Sequence, residues 1–172
     1  SLTSTYPPTI RLFDENPSIS DFDAQVIDCL EMDSVDEQGI SRTSWILILN
    51  RSAFYPESGG QLGDRGTIGP ATIYDVRIEN GVILHYADRP INSGRVSGSV
   101  DGKRRLQISQ HHSSVHVVGG SARQILGPHV WQAGSFKNES LARLDVTHYG
   151  RLSRTQLDQI EDHANEIVNQ NR

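Results

Sequence analysis

Short apolar segments separated by turns fill the first hundred residues of the chain. Residues 24–30 form one such segment, and residues 45–49 form a five-residue apolar run that is too short for a typical helix. Both patterns predict β-strands. Residues 72–86 contain two further strand-like segments joined by Asn80-Gly81, a dipeptide that is the strongest short signal of a β-hairpin. Several short strands at this spacing indicate a small barrel or sandwich.

The first arm of that hairpin alternates between apolar and polar side chains. Its apolar members are Tyr74, Val76 and Ile78, so we expect them on one buried face and the polar residues on a face that contacts water. The second arm begins with three successive apolar residues at positions 82–84. The pattern therefore does not fix its register.

Helical spacing begins at about residue 98. A helix is predicted between residues 110 and 126, and Gly127-Pro128 predicts its end. Residues 129–148 alternate enough to form one or two strands. A last helix follows, because Ser153 and Gln156 have the spacing of a capping box. The predicted apolar stripes are Val115, Val118, Ala122 and Ile125 in the first helix, and Leu157, Ile160, Ala164 and Ile167 in the last.

These patterns predict an α+β chain with two domains. Residues 1–20 are polar and contain three prolines, so we expect an extended lead-in. Residues 21–97 are expected to form a β-barrel domain with a glycine-rich loop. Residues 98–172 are expected to begin a second domain of helices and strands.

Composition limits the functions that the chain can have. The 172 residues have a formal net charge of −5, so any contact with RNA must be local rather than a general basic coat. No segment approaches the roughly 18 apolar residues of a membrane span. The single cysteine, Cys29, excludes an internal disulfide and favours a reducing, intracellular setting. The chain begins with Ser and its one methionine is Met32, so we expect it to be a piece of a longer protein.

Two histidines carry the clearest chemical signal in the second half. His112 and His116 are four residues apart on the first predicted helix, so both imidazoles project from one face about 40° apart. Such a pair is the usual helical half of a zinc site, although spacing alone also fits two polar residues that face solvent. Ser113 stands where a zinc protease would carry Glu, which argues against protease chemistry. Gly119-Gly120 in the same helix suggests close approach by a backbone, a substrate or another chain, or ordinary tight packing.

The stretch from 54 to 66 is unusually rich in glycine. A bare backbone at Gly59 and Gly60 is suited to contact a sugar-phosphate or a terminal adenosine. Neither a phosphate-binding P-loop nor a dinucleotide fingerprint fits the flanking residues. A structural turn between barrel strands is the alternative. Gly59-Gly60-Gln61 also matches a motif of peptide release factors, in which Gln61 would promote ester hydrolysis, but the flanks do not resemble theirs.

Taken together, these residues resemble the editing region of alanyl-tRNA synthetase and its free-standing AlaX relatives. The resemblance covers nearly the whole chain, from about Thr9 onward, and it is closer to archaeal members than to bacterial ones. Its motifs follow the family's order: residues 53–66 (barrel signature), Val100-Asp101 with Arg104-Arg105 (domain junction), residues 112–116 (two-histidine zinc motif), then residues 126–135 and 143–148.

The resemblance implies a fold and an activity. The fold is a small N-terminal β-barrel followed by part of an α/β two-layer editing core. The implied activity is hydrolysis of tRNA(Ala) mischarged with serine or glycine, within an enzyme that uses ATP to attach alanine to tRNA(Ala). The alternatives are a non-catalytic tRNA-binding module and a free-standing AlaX-type hydrolase. The isolated chain is expected to be inactive, because the family's zinc site is completed by a Cys-x-x-x-His motif that is expected beyond residue 172.

The resemblance also implies roles for individual residues. His112 and His116 match two zinc ligands, Gln132 matches the glutamine that influences amino-acid discrimination, and Ser113 matches a small hydroxyl position beside the zinc motif. The substrate-binding candidates are Gly59, Gly60, Gln61, Arg104 and Arg105.

The expected partners are the acceptor end of tRNA(Ala) and the rest of a parent synthetase chain, with no membrane. Lys103, Arg104 and Arg105 are candidates for contacts with the acceptor-stem backbone, and a solvated surface turn is the alternative. A truncated core would expose a strand edge, so a homodimer is a further possibility. The cytoplasm is the expected location.

Overall fold

The computed structural model describes residues 3–35 and 41–170, and these residues form two compact units. The first unit lies within Ser1–Ser58 and Leu62–Arg105, and the second within Gly59–Gln61 and Leu106–Arg172. A mixed α and β chain was predicted, and the six-stranded sheet and three helices of the described residues confirm it. None of these helices has the length and apolar character needed to cross a membrane.

Six antiparallel strands of the first unit close into a barrel, in the order Asp21–Val35, Ser41–Leu49, Val82–Ala87, Ala71–Glu79, Gly66–Ile68 and Gly94–Val100. The segment expected to be an extended lead-in contains a two-residue strand and one turn of helix. The elements of this unit are β1 (Ile10–Arg11), α1 (Leu12–Glu15), β2 (Asp21–Val35), β3 (Ser41–Leu49), β4 (Arg51–Ser52), β5 (Gly66–Ile68), β6 (Ala71–Glu79), β7 (Val82–Ala87) and β8 (Gly94–Val100). Outside the barrel, β1 pairs in parallel with β4.

The predicted hairpin is confirmed, but the predicted buried face of its first arm is partly wrong. Asn80 and Gly81 both have positive φ, 50° and 80°, as a two-residue turn of type I′ requires. A bulge between Ile73 and Asp75 then changes the phase of β6. Val76 is buried as expected, whereas Tyr74, which lies at the bulge, is 42% exposed. Ile78, two residues after Val76 and next to the end of the strand, is 39% exposed.

Aliphatic and aromatic side chains fill the interior of the barrel. The apolar run of β3 is fully buried from Leu47 to Leu49, and Val82 and Ile83 of β7 are fully buried beside it. Phe54 packs edge to face against Phe22 and against the buried ring of His85. The short apolar runs thus became strands because each buries side chains on both faces.

The second unit contains helices and a two-stranded antiparallel sheet. Its helix α2 (Gly102–Leu126) begins earlier than the predicted residue 110, and only its part from Leu106 onward belongs to this unit. The remaining elements are β9 (Gln132–Lys137), β10 (Ala142–Val146) and α3 (Arg154–Asn169). Its fully packed apolar cluster is small, with Ala122, Val130 and Ile160 at the centre.

The predicted helix ends of this unit are confirmed. α2 stops at Gly127, which has φ +116° and donates its N–H to the carbonyl of Arg123. Ser153 and Gln156 form the reciprocal capping box at the start of α3. The predicted stripes are buried only in part, because Val118 is 38% and Leu157 is 44% exposed.

Candidate functional site

The two predicted metal ligands face each other across one turn of α2. The Nε2 atoms of His112 and His116 are 3.1 Å apart. Two nitrogens bound to one tetrahedral zinc ion would be about 3.3 Å apart, because each Zn–N bond measures about 2.0–2.1 Å. The pair therefore fits one half of a zinc site. Among the described residues, no cluster of three or more His, Cys, Asp or Glu side chains is placed to hold a metal ion.

Gln61 of the glycine-rich turn contacts one histidine of this pair and fixes the orientation of its ring. Gln61 accepts a hydrogen bond from Nδ1 of His112 through its Oε1 atom, over 3.1 Å. Because Nδ1 then carries the proton, Nε2 keeps its lone pair toward His116. A partner on the far nitrogen of this kind is what orients histidine ligands in metal sites. Burial lowers the pKa of His112, and the positive charges of Lys137 and His116 lower it further.

Strand β9 holds the turn in place from the other side. Lys137 is 3% exposed, and its ammonium donates to the Gly59 carbonyl at 2.9 Å and to the Ser135 hydroxyl at 2.8 Å. The Lys137 N–H donates to the Gly60 carbonyl. A Cβ atom on Gly60 would lie 1.9 Å from the Ser135 carbonyl oxygen, so the close approach of these backbones requires glycine at this position.

A cleft of about 230 Å³ opens beside His116. Gln132, the first residue of β9, lines it and donates its Nε2 hydrogen to the Ser135 hydroxyl at 3.1 Å. Most of the wall is apolar or bare backbone. The complete lining is Val115, His116, Gly119, Gly120, Arg123, Val130, Trp131, Gln132 and Val146. The cleft thus brings together one predicted zinc ligand and the predicted discriminating glutamine.

The structure separates Ser113 from this cleft. It is exposed on α2, and the cleft lining does not include it. Its position one residue after His112 turns it about 100° around the helix axis, away from the direction that the two imidazoles share.

Arg104 and Arg105 are enclosed in the first unit, where they stabilise the fold. The Arg104 guanidinium donates to the Gly63 carbonyl at 2.7 Å, and the residue is 8% exposed. Arg105 forms an ion pair with the buried carboxylate of Asp64 and donates to the carbonyls of Ile19 and Ala53. This geometry is neither the surface turn nor the open RNA-binding face that we considered, because both side chains are engaged with the protein itself. Both guanidinium groups are engaged within the first unit, so we do not propose them as substrate-binding residues.

Four residues at the site escaped the sequence analysis as functional candidates. Ser135 and Lys137 gave no signal, because only the pairing of β9 beside the glycine turn brings them to the Gly59 carbonyl. Arg123 lies seven residues after His116, so helical periodicity alone places both on one face of α2. The sequence shows Trp131 next to Gln132, but it does not show that the indole is exposed. Only the tertiary structure gives its exposure of 59%.

Comparison with known proteins gives one family. The family model described as tRNA synthetases class II (A) matches residues 6–104. An alanine–tRNA ligase from Natronomonas pharaonis is 43% identical over 170 residues, which are 96% of this chain and 18% of the relative. The corresponding protein of Ignicoccus hospitalis is 40% identical over 172 residues, 97% of this chain and 18% of the relative. The chain thus spans less than a fifth of the length of these relatives.

Proposed function

Because the chain belongs to the family of class II (A) tRNA synthetases, we propose that it is the editing region of an alanine–tRNA ligase. In this proposal the region hydrolyses tRNA(Ala) mischarged with serine or glycine, and the parent enzyme uses ATP to attach alanine to tRNA(Ala). The observation that carries the proposal is the convergence of the His112 and His116 nitrogens at the edge of a cleft that also holds Gln132.

In this proposal His112 and His116 hold a zinc ion together with a Cys and a His that a longer chain would supply. The bound ion would supply a Lewis acid next to the ester bond. The contribution of this chain is orientation: Gln61 fixes the ring of His112, and Lys137 fixes the backbone that carries Gln61. Loss of such outer partners typically lowers metal affinity 10–100-fold, so Gln61→Ala should weaken zinc binding without abolishing hydrolysis.

Gln132 is the residue that we assign to recognition of serine. Its Nε2 atom already donates to Ser135, so its Oε1 atom remains to accept a hydrogen bond from a seryl hydroxyl. A pocket for alanine rejects serine poorly, because an added hydroxyl costs a hydrophobic pocket little. A second site that hydrogen-bonds the hydroxyl can instead select serine and leave alanyl-tRNA intact.

The direct test extends the chain through a Cys-x-x-x-His segment and measures release of serine from mischarged tRNA(Ala). We expect His116→Ala to abolish hydrolysis. His111→Ala is the matched control, because His111 turns its Nδ1 atom to the Asn138 carbonyl instead of the pair. Full activity of the His116 variant would defeat the metal assignment, and an inactive extended chain would defeat the proposed hydrolysis.

A second candidate function follows from the number of metal ligands. Among the described residues His112 and His116 are placed as a pair, and no group of three or more possible ligands is present. Alone, the chain would act as a binding module for the acceptor end of tRNA(Ala). Two imidazoles leave a zinc ion half-ligated, so we expect weaker than micromolar zinc affinity for the isolated chain. Stoichiometric zinc at micromolar protein would contradict this expectation. A gel shift with tRNA(Ala) at moderate salt tests the module, and binding no stronger than that of an unrelated acidic protein would exclude it.

The assembly and location of the protein are also proposals. We propose the rest of a synthetase chain as the covalent partner and the cytoplasm as the location. In the described part of the second unit, β9 and β10 form a sheet of two strands, and Gln61 adds a single parallel bridge at Lys137. The remaining edge of such a narrow sheet is suited to pairing with a second copy, which sedimentation of the chain at two concentrations would detect.

A further inference from the structure

Gly119 and Gly120, in the interior of α2, are not required by packing within the described unit. A Cβ atom on Gly120 would meet nothing within 4 Å, and one on Gly119 would make only an ordinary contact with Leu144 at 3.5 Å. Glycine nevertheless weakens the interior of a helix relative to alanine. Both residues line the cleft, so their bare backbone enlarges a space that the protein itself does not fill.

An aromatic side chain and a cation form the outer edge of the same cleft. The guanidinium carbon of Arg123 lies 3.7 Å from the centre of the Trp131 ring. The Trp131 backbone is fixed on both sides, because its N–H donates to the Thr147 hydroxyl and its carbonyl accepts the Thr147 N–H. The indole is 59% exposed all the same. Among the described residues no carboxylate pairs with Arg123, so its N–H groups remain available for a ligand.

These features match the chemistry of a nucleotide better than that of an amino acid alone. Unstacked bases bind to aromatic rings and to guanidinium planes, and guanidinium groups bind phosphate with charge-assisted hydrogen bonds. The cleft is much larger than a seryl side chain needs, and its walls are mainly apolar. Gln132 and His116 are part of its lining, so a nucleotide in it would lie next to the proposed site of hydrolysis.

We propose that Trp131 and Arg123 bind the 3′-terminal nucleotide of single-stranded RNA, with its base over the bare Gly119-Gly120 surface and its phosphate on Arg123. This inference rests on the proposed function and deepens it, because it names the part of the substrate that the cleft holds. The rest of the acceptor end lies outside the cleft.

The test is fluorescence anisotropy of a 5′-fluorescein-labelled tetranucleotide, ACCA, with the 172-residue chain in EDTA. Trp131→Ala and Arg123→Ala are each expected to weaken binding about tenfold, the effect typical of losing one stacked base. Tyr149→Ala and Arg143→Ala are matched controls, because both residues are exposed in the same unit but lie outside the cleft lining. The controls should stay within twofold of the wild type.

Two further readouts separate a ligand site from an incidental surface. Arg123→Ala should lower the slope of log affinity against log salt by about one, whereas Trp131→Ala should leave that slope unchanged. Gly120→Leu should fill the cleft and abolish binding while the helical circular dichroism is retained, since the added side chain starts in open space. Absence of binding to the wild type, or equal losses in the two control variants, would overturn the inference.

The inference and the proposed function fail differently. Binding of the tetranucleotide needs no metal and no hydrolysis, so it is measured in EDTA. If binding depends on Trp131 and Arg123 but the extended chain releases no serine, only the proposed hydrolysis is wrong. If the extended chain releases serine but the two variants leave its KM unchanged, only the nucleotide assignment is wrong.

Discussion

The two units of this chain use their polar residues in opposite ways. In the barrel unit, buried polar side chains hold one another: Arg105 forms an ion pair with Asp64, and His85 hydrogen-bonds to Ser52 and to the Leu47 carbonyl. In the second unit, His116, Arg123 and Gln132 line an open cleft whose walls are otherwise mainly apolar, beside a small apolar cluster. Side chains that complete a core have no freedom to bind a substrate, so chemistry is found where packing is incomplete.

The barrel therefore has the more completely packed interior, and the second unit has the candidate site. The contrast can be measured separately in each unit. Trp45 lies in β3 of the barrel, so a Trp131→Phe background gives a fluorescence signal for the barrel alone. Most of the helical residues lie in the second unit, so far-ultraviolet circular dichroism reports on it.

The largest expected effect is removal of the buried ion pair of the barrel. Arg105→Ala leaves the Asp64 carboxylate, 4% exposed, without its cation, and breaking such a pair costs about 3–5 kcal/mol. Urea unfolding followed by Trp45 fluorescence measures the loss. Arg77→Ala is the control, because the exposed Arg77–Asp75 pair contributes at most about 1 kcal/mol. Equal losses of stability in both variants would contradict the larger cost that we expect for breaking the buried Arg105–Asp64 pair.

The next effect is an acid sensitivity of the barrel that comes from His85. Burial lowers the pKa of His85 to about 4, while the unfolded chain has an ordinary value of about 6.5. The unfolded state thus binds the proton first as pH falls. The stability from neutral His85 is complete above pH 6.5 and decreases toward pH 4 by about 3 kcal/mol.

Urea midpoints of the barrel signal between pH 7 and pH 4 measure this loss. His85→Gln should give a flatter pH profile, although its stability at pH 7 is lower because the buried hydrogen bond between Ser52 and the His85 ring is lost. A variant with the same slope as the wild type would assign the acid sensitivity to other groups.

A smaller effect tests the backbone of the site. Gly59 and Gly60 both have positive φ, so alanine at either costs about 1–2 kcal/mol. Alanine at Gly60 also collides with the Ser135 carbonyl, whereas alanine at Gly59 meets nothing within 4 Å. We expect Gly60→Ala to lower the thermal midpoint of the circular dichroism signal clearly more than Gly59→Ala. Identical midpoints would mean that β9 moves away freely.

The smallest effect concerns a helix end in the second unit. Ser153→Ala removes the acceptor of the Gln156 N–H and should cost about 1 kcal/mol. Ser140→Ala is a control in the same unit, because Ser140 lies in the turn between β9 and β10 and caps no helix. The helix signal should respond to Ser153→Ala while the Trp45 signal of the barrel stays unchanged. A shift in both signals would show that the units unfold together and would weaken the contrast between them.

Local patterns predicted most elements but not the phase of every strand. The Asn80-Gly81 turn and the Ser153 capping box depend on backbone preferences of adjacent residues, so the sequence identifies them directly. The exposure of Tyr74 was missed, because the bulge in β6 arises from pairing with another strand. The alternation of residues along one strand does not show where the neighbouring strand leaves one of them unpaired.

The amino-acid pattern alone was enough to predict the strand-rich first half, the helical spacing of His112 and His116, and the resemblance to a known family. Each depends on the identity and spacing of residues near one another in the chain. Only the tertiary structure decided that Gln61 orients His112, that Lys137 holds the glycine turn, and that Arg105 is enclosed with Asp64. These contacts join residues 41 to 78 positions apart, and hydrogen bonding at such separation is set by how the chain packs rather than by any local preference.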